Sequence, residues 1–262
     1  MNAPLTDAPL TDGRVGVETV LDRGDGALPD DLVCVAVSLH NYARFLPDCL
    51  ESVAAQRHAA LDLIVVDDAS AQDDSLAVAR AWIEANSARF ARTLLLRHRR
   101  NQGLAQTRNT AFAAARAQHV FVLDADNALY PRAIGRLHAV MAREGVAAAY
   151  TQLEYFGAQS RLGYADTWEP EQFRATNYVD AMALVSRQAW REVGGYTHLD
   201  GGWEDYDFWC KFVDNGLIAA YVPEILCRYR VHDGSMLHTE HRARAEALAL
   251  QMTMRHPWLR LR

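Results

Sequence analysis

The stretch HVFVLDAD, residues 119–126, decides how this chain is read. Val120, Phe121, Val122 and Leu123 make an unbroken apolar run of strand length that ends on two acids, Asp124 and Asp126, with Asn127 as the next turn residue. A strand apolar at every position is buried on both faces, as in a parallel sheet covered by helices. The same grammar recurs upstream in LVCVAVSL (32–39), LDLIVVDD (61–68) and TLLLRH (93–98), and downstream in GVAAAYTQL (145–153). Helical spacing fills the gaps. Asn41 is placed to cap a helix over 42–56 with Phe45, Leu46, Cys49, Leu50 and Val53 on one face. Asp73 and Asp74 open a second helix reaching residue 90, and residues 104–117 form an Ala-rich third. Pro131 opens a fourth, with Ile134, Leu137, His138 and Met141 on one side. This alternation predicts an α/β fold, a mostly parallel Rossmann-type sheet covered by helices. Ligands of such sheets bind beyond the carboxyl ends of the strands, where Ser38, His40, Asp67, Asp68, Asp124 and Asp126 gather.

After residue 155 the alternation stops. Residues 156–175 are loop-like, 181–186 a strand, 187–193 a short helix, and 203–215 a helix behind the glycine pairs at 194–195 and 201–202. Two short strands, 217–222 and 225–230, lead to a polar loop with His232, and a surface helix is expected over 239–255. Residues 1–30 repeat APLTD, show no periodicity and are expected to be a mobile tail. Residues 31–240 form a single domain with a nucleotide side (31–155) and a second side (156–240), and 241–262 are set apart as a C-terminal helix.

Composition narrows the classes. The chain has 262 residues, half of them hydrophobic, and 27 basic side chains against 33 acidic ones give a net charge of −6. That excludes global disorder and argues against a protein built to grip nucleic acid. No run approaches the ~18 apolar residues of a membrane span, and the N-terminus lacks a secretory signal. Cys34, Cys49, Cys210 and Cys227 form no CxxC pair, as expected for buried thiols in a reducing cytoplasm.

Each acidic cluster has a bland and a chemical reading. Asp124 and Asp126, across a turn, suit a hard cation such as Mg²⁺ or Mn²⁺, or are simply a solvated strand end. Asp68 accepts a hydrogen bond from a nucleobase, or caps the next helix. Glu204 and Asp205, after Gly201 and Gly202, offer a general base, or merely favour the helix dipole. His232 is a metal or phosphate ligand, or structural; Arg108 and Asn109 belong to a site, or to a solvated helix face.

The order of these elements resembles the family 2 inverting glycosyltransferases of GT-A fold. The resemblance covers about residues 32–236: VSLHNYARFLPDCLESVAAQ (37–56), IVVDDAS (64–70), NQGLAQTRNTA (101–111), FVLDADN (121–127), VGGY (193–196) with GGWEDYDFWCK (201–211), and YRVHDGSM (229–236). Ala69 stands where the family usually has glycine, and His40 where an aromatic residue commonly stacks on the base. The resemblance implies a nucleoside diphosphate sugar donor, first of all a UDP-sugar, and Mn²⁺ or Mg²⁺ as cofactor. It implies that Asp68, Ser38, His40 and Arg108 bind the nucleotide and that Asp124 faces the ribose or donor sugar. Asp126 and His232 would hold the metal, Asp205 would be the base, Glu204 would position the site, and Trp203 would floor a sugar ring.

Three other readings compete. A sugar-nucleotide pyrophosphorylase looks to need a Gly-rich basic loop after the first strand, where this chain has SLHNYARF. A dehydrogenase needs GxGxxG, also missing. A non-catalytic sugar-nucleotide or glycan binder would not need Asp205. The acceptor, a glycan, lipid-linked or small molecule, is left open, with residues 156–176 and 196–202 expected to shape it. The helix over 239–255, carrying His241, Arg242 and Arg244, is expected to cover an edge or a dimer interface, with peripheral membrane contact as the other option.

Overall fold

A computed structural model describes residues 16–24, 28–232 and 241–261. The sheet is built around β2 (Val33–Leu39), β3 (Leu61–Asp67), β4 (Arg92–His98) and β5 (His119–Asp124), all parallel in the order β4-β3-β2-β5. Every residue of β2 and β3 is buried, as their apolar runs require. Beyond β5 the sheet turns mixed. β9 (Ala183–Ser186) runs antiparallel between β5 and β7 (Ala148–Gly157), and β7 pairs in parallel with β10 (Ala219–Val231). Two-residue strands, β6 (Ala128–Leu129) and β8 (Arg161–Leu162), pair with β10 and β7.

Alternate strand residues feed two cores. Val33, Val35 and Val37 face α1 (Leu46–Ala54), α2 (Ser75–Asn86) and α4 (Ala133–Glu144). Cys34 and Ala36 face α3 (Leu104–Ala114), α5 (Arg187–Glu192) and α6 (Glu204–Asp214). All four cysteines are free and buried.

Three expectations need correction. Part of the expected tail is ordered: β1 (Val17–Gly24) pairs antiparallel with the edge of β4, buries Leu21, and places Asp22 2.6 Å from Arg92. Its register shifts between Thr19 and Leu21, so a period-two pattern never forms in the sequence. The APLTD repeats lie outside the described residues. Secondly, Asn41 does not cap α1, which begins at Leu46. Asn41 takes a left-handed backbone (φ 54°), and its Oδ1 accepts from the Ala71 and Gln72 N–H groups, tying the β2–α1 loop to the β3–α2 loop. Thirdly, the two short strands of 217–230 are one strand, β10, with register shifts around Ile225 that leave room for Pro223. Arg108 and Asn109, left open between a site and a solvated helix face, turn inward, as described below.

The last helix, α7 (His241–Arg255), buries Leu248 and Met252 completely and belongs to the second core. Ion pairs fasten its end: Asp207 of α6 meets Arg255 at 2.6 Å, Lys211 at 3.2 Å and His256 at 3.1 Å, while His256 also meets Asp214 at 2.5 Å. The side chains of His241, Arg242 and Arg244 lie outside what is described. No described helix is long and apolar enough to cross a membrane.

Candidate active site

The carboxyl ends of β2, β3 and β5 meet as the topology requires. Ser38, mostly buried, stands opposite Asp124 in the sheet register, and its carbonyl accepts from Ala125 N–H at 3.1 Å. The turn at Asp124–Asp126 then parts the two carboxylates. Asp124 turns toward α3, where Arg108 Nη2 lies 3.1 and 3.2 Å from its oxygens. Asp126 turns toward the end of β10, with Oδ2 3.1 Å from His232 Nε2.

Arg230, two residues before His232, makes that meeting possible. Its Nε donates to the Asp126 carbonyl at 2.8 Å, its N–H to Asn127 Oδ1 at 2.9 Å, and its Nη2 to Asp48 at 2.9 Å. The rings of Phe45 (4.7 Å) and Tyr42 (5.6 Å, edge-on) flank the His232 imidazole. Burial, then the charge of Asp124, pushes the Asp126 carboxyl up to about 6, with His232 opposing. The donor set fits a divalent ion. Two ligands about 2.1 Å from one metal and at right angles stand about 3 Å apart, the spacing of Asp126 and His232. Among the described residues no group of three His, Cys, Asp or Glu side chains converges. A Mg²⁺-type site, which takes one or two carboxylates and completes its shell with substrate phosphates, needs no third protein ligand.

Asp68 is where the sequence places it and does more than expected. It does not cap α2; it pins the loop before α3. Oδ1 accepts from Gln102 N–H (2.8 Å), Oδ2 from Gly103 N–H (2.9 Å), and Oδ1 also meets His98 Nδ1 at 2.6 Å. His98 in turn reaches Thr110 Oγ1 on α3 at 2.9 Å. Only 3% of Asp68 is exposed, so most of its acceptor capacity is spent inside the chain. His40 is exposed, with Nδ1 held by the Asp68 carbonyl at 2.8 Å and Asn101 Nδ2 3.3 Å from Nε2.

Arg108 is the hub of the second half. It is 4% exposed and lies 5.3 Å over the Tyr196 ring. Burial alone would lower its pKa, but Asp124, Tyr196, Asp205 and Glu204 raise it above the usual range. Asn109 stitches α3 to the turn after α5: Oδ1 accepts from Trp190 Nε1 and Tyr196 N–H, and Nδ2 donates to the Tyr196 carbonyl.

Arg108, Asp124, Trp203, Glu204 and Asp205 all line one cleft of about 450 Å³. Gly201 and Gly202, at φ 104° and 99°, lead into Trp203, itself left-handed at φ 68° and half-buried at the start of α6. A bulky residue in that region stores roughly 1–3 kcal/mol of strain, and such strain gathers at functional sites. Asp205 Oδ1 accepts from Tyr206 N–H at 2.8 Å and Oδ2 from Asn177 Nδ2 at 3.0 Å. Asn177 is oriented in turn by Val179 N–H, which donates to its Oδ1 at 3.2 Å. Burial raises the Asp205 and Glu204 carboxyls above the ordinary range, and the Arg108 charge opposes both shifts.

The structure thus brings Arg108, Asp124, Trp203, Glu204 and Asp205 into one cleft; Ser38, His40, Asp68, Asp126 and His232 are not among the residues lining it. Sequence reasoning missed Asn177 and Asp180, which do line it. Both sit in an aperiodic loop just past the stretch 156–176 expected to shape the acceptor side.

Solved structures share this architecture. S. aureus TarS in complex with UDP-GlcNAc superposes with a TM-score of 0.67 at 14% identity, covering 79% of this chain and 61% of that one. A mannosyltransferase from Pyrobaculum calidifontis, in complex with GDP-Man and Mn²⁺, gives a TM-score of 0.63 at 22% identity, covering 88% of this chain and 65% of that one. Among sequences, the succinoglycan biosynthesis protein ExoU of Rhizobium meliloti is 28% identical over 238 residues, 82% of this chain and 66% of ExoU. The O-antigen biosynthesis protein RfbC of Myxococcus xanthus is 27% identical over 209 residues, 78% of this chain but only 16% of RfbC, so the chain spans a fraction of such relatives. Residues 34–192, more than half the chain, match the model described as Glycosyl transferase family 2, and the chain belongs to that family, with the GT-A fold.

Proposed function

We propose that the protein transfers a sugar, with inversion, from a nucleoside diphosphate sugar to an acceptor hydroxyl, with Asp205 as the base. One observation carries the reading: a carboxylate fixed through both oxygens by Asn177 and the Tyr206 N–H lines the same cleft as the Arg108–Asp124 pair. The sugar nucleotides bound by the two solved neighbours support the donor class. Asp205 takes the proton of the acceptor hydroxyl as its oxygen attacks the anomeric carbon from the face opposite the diphosphate. A single displacement with one base inverts that carbon. Asp124 orients the ribose or donor sugar, and Arg108 holds Asp124 in place. Asp126 and His232 would hold Mn²⁺ or Mg²⁺, which when bound would offset the negative charge growing on the departing diphosphate. Glu204 positions the acceptor side, and Trp203 offers a ring face to a sugar. Ser38, His40 and Asp68 lie at the strand ends where the nucleotide is read. Because Asp68 is largely occupied by the chain, it serves the base mainly by shaping the loop 101–103. A UDP-sugar is the first donor to test.

Asp205→Asn is the deciding variant. It is nearly isosteric and keeps an acceptor oxygen, but cannot take a proton at neutral pH. Transfer should fall by about 10²–10⁴-fold while donor affinity, read by nucleotide titration with Mn²⁺, stays within a few-fold. A variant transferring at wild-type rate would move the base role elsewhere, with Glu204 next in line. A wild type that binds donor tightly and turns over nothing would make the protein a binding module.

A further inference from the structure

Asp180 is a half-buried carboxylate for which the transfer step has no use. It sits in the loop before β9, where Oδ1 accepts from Met182 N–H at 2.8 Å, and its side chain lines the cleft with Asp205. Burial drives its carboxyl up to about 7; the Met182 N–H opposes the shift and the charges of Asp205 and Asp124 add to it. Four carboxylates therefore line this cleft, Asp124, Asp180, Glu204 and Asp205. Arg108 is the sole cationic side chain among the described lining residues, and it is engaged with Asp124. Arg161 stacks 3.7 Å over the Tyr155 ring without lining the cleft.

The rest of the lining mixes aromatic rings with Leu104, Leu153 and Val179. Tyr155 packs against Tyr229 at 5.1 Å and Tyr164 at 6.5 Å; Tyr155 and Tyr178 are buried, while Tyr164, 64% exposed, and the half-buried Trp203 and Tyr229 leave ring surface open. Ring faces pack against the C–H faces of a pyranose, while carboxylates accept from its hydroxyl pairs. Where Asp180 is ionised, above about pH 7, an acidic group brought into the same space would meet like charges in a medium that screens them poorly.

We propose that these open rings and Asp180 form the acceptor subsite, and that it takes a sugar bearing no acidic group, a hexose in preference to a uronic acid or sugar phosphate. This rests on the reading of Asp205 as the base. The test uses matched pairs of glycosides on one aglycone, glucoside with glucuronide and galactoside with galacturonide, together with the sugar nucleotide that binds in the presence of Mn²⁺. A neutral member should be glycosylated with a kcat/KM at least tenfold above its acidic partner. Asp180→Asn should narrow that ratio at least threefold by improving use of the acidic sugar, and Tyr164→Ala should raise the KM for the neutral glycoside several-fold. Equal use of both members, or a ratio unmoved in Asp180→Asn, overturns the proposal. So does a protein that binds and hydrolyses donor but glycosylates neither member, in which case the donor-side reading stands alone. A protein that binds no sugar nucleotide brings down the parent reading, and this inference with it.

Discussion

Asp205 carries its charge against its surroundings, and the residues around it set how hard that is. Burial raises its pKa and Arg108 restrains the rise, so the acid limb of kcat/KM should lie above the ordinary aspartate value of about 4. Activity should climb as pH rises through that limb, because the base works only when ionised. Asn177→Asp replaces the amide donor facing Asp205 Oδ2 with a second carboxylate. The limb should then move to higher pH, and turnover at pH 7 should fall about tenfold or more; a pH–rate profile reads both. Asp68→Ala tests a different role. It strips the Gln102 and Gly103 N–H groups of their acceptor and takes from buried His98 its carboxylate partner, leaving it Thr110 alone. Stability in urea should drop by roughly 1–3 kcal/mol. Nucleotide affinity should fall more than pyrophosphate affinity, because the loop lies on the base side. Equal losses for both ligands, with stability intact, would deny Asp68 the loop-pinning role.

Elements were legible where burial was two-sided. The strands 33–39, 61–67 and 119–124 announce themselves because neither face meets water, so their central residues are apolar; Asp62, near the start of its strand, is buried against Arg116. β1 stayed hidden because it is an edge strand with a shifted register, and β10 read as two strands because Pro223 breaks its ladder. Among site residues, those in strand-end or helix-start patterns, Asp124, Asp126, Glu204 and Asp205, stood out. Asn177 and Asp180 did not, since an aperiodic loop carries no repeating signal. That Asp124 would turn to Arg108 while Asp126 turned to His232 depends on Arg230, which lies 104 residues further along and reaches the Asp126 carbonyl. The docking of α7 gives a prediction of its own. Burial would raise the pKa of Asp207, but the His256 hydrogen bond and the Lys211 and Arg255 charges hold it well below the usual range. His256, which burial would lower, is raised by Asp207 and Asp214. The Asp207 contribution is present above about pH 4 and fades as pH falls through its depressed value; the His256 contribution is full below about pH 6.5 and fades as pH rises through its raised value. Amide exchange in α7 should thus be slowest, after correction for intrinsic rates, between those limits. His256→Ala should flatten the alkaline side; an unchanged profile would mean the clamp does not hold the helix.

At the scale of the whole molecule, ligand and fold share one free energy. UDP or GDP with Mn²⁺ should raise the melting temperature, by an amount equivalent to ~2.7 kcal/mol when the ligand is at a hundred times its Kd. Removal of the metal with EDTA should abolish most of that gain, and Asp126→Ala should make the protein indifferent to EDTA. A nucleotide effect that ignored both would place the phosphates away from Asp126 and His232. The order of strands across the sheet, β1-β4-β3-β2-β5, has a further consequence for how the chain comes off the ribosome. β1 is made before its partner β4, which begins at Arg92, and β4 has nowhere to sit until β2 and β3 have paired. β1 is therefore among the later of the described strands to dock, and until it does the flank of β4 is an open template for a neighbouring nascent chain. Protein lacking residues 1–24 should still fold around its parallel core, but refold with a concentration-dependent yield that the full chain does not show.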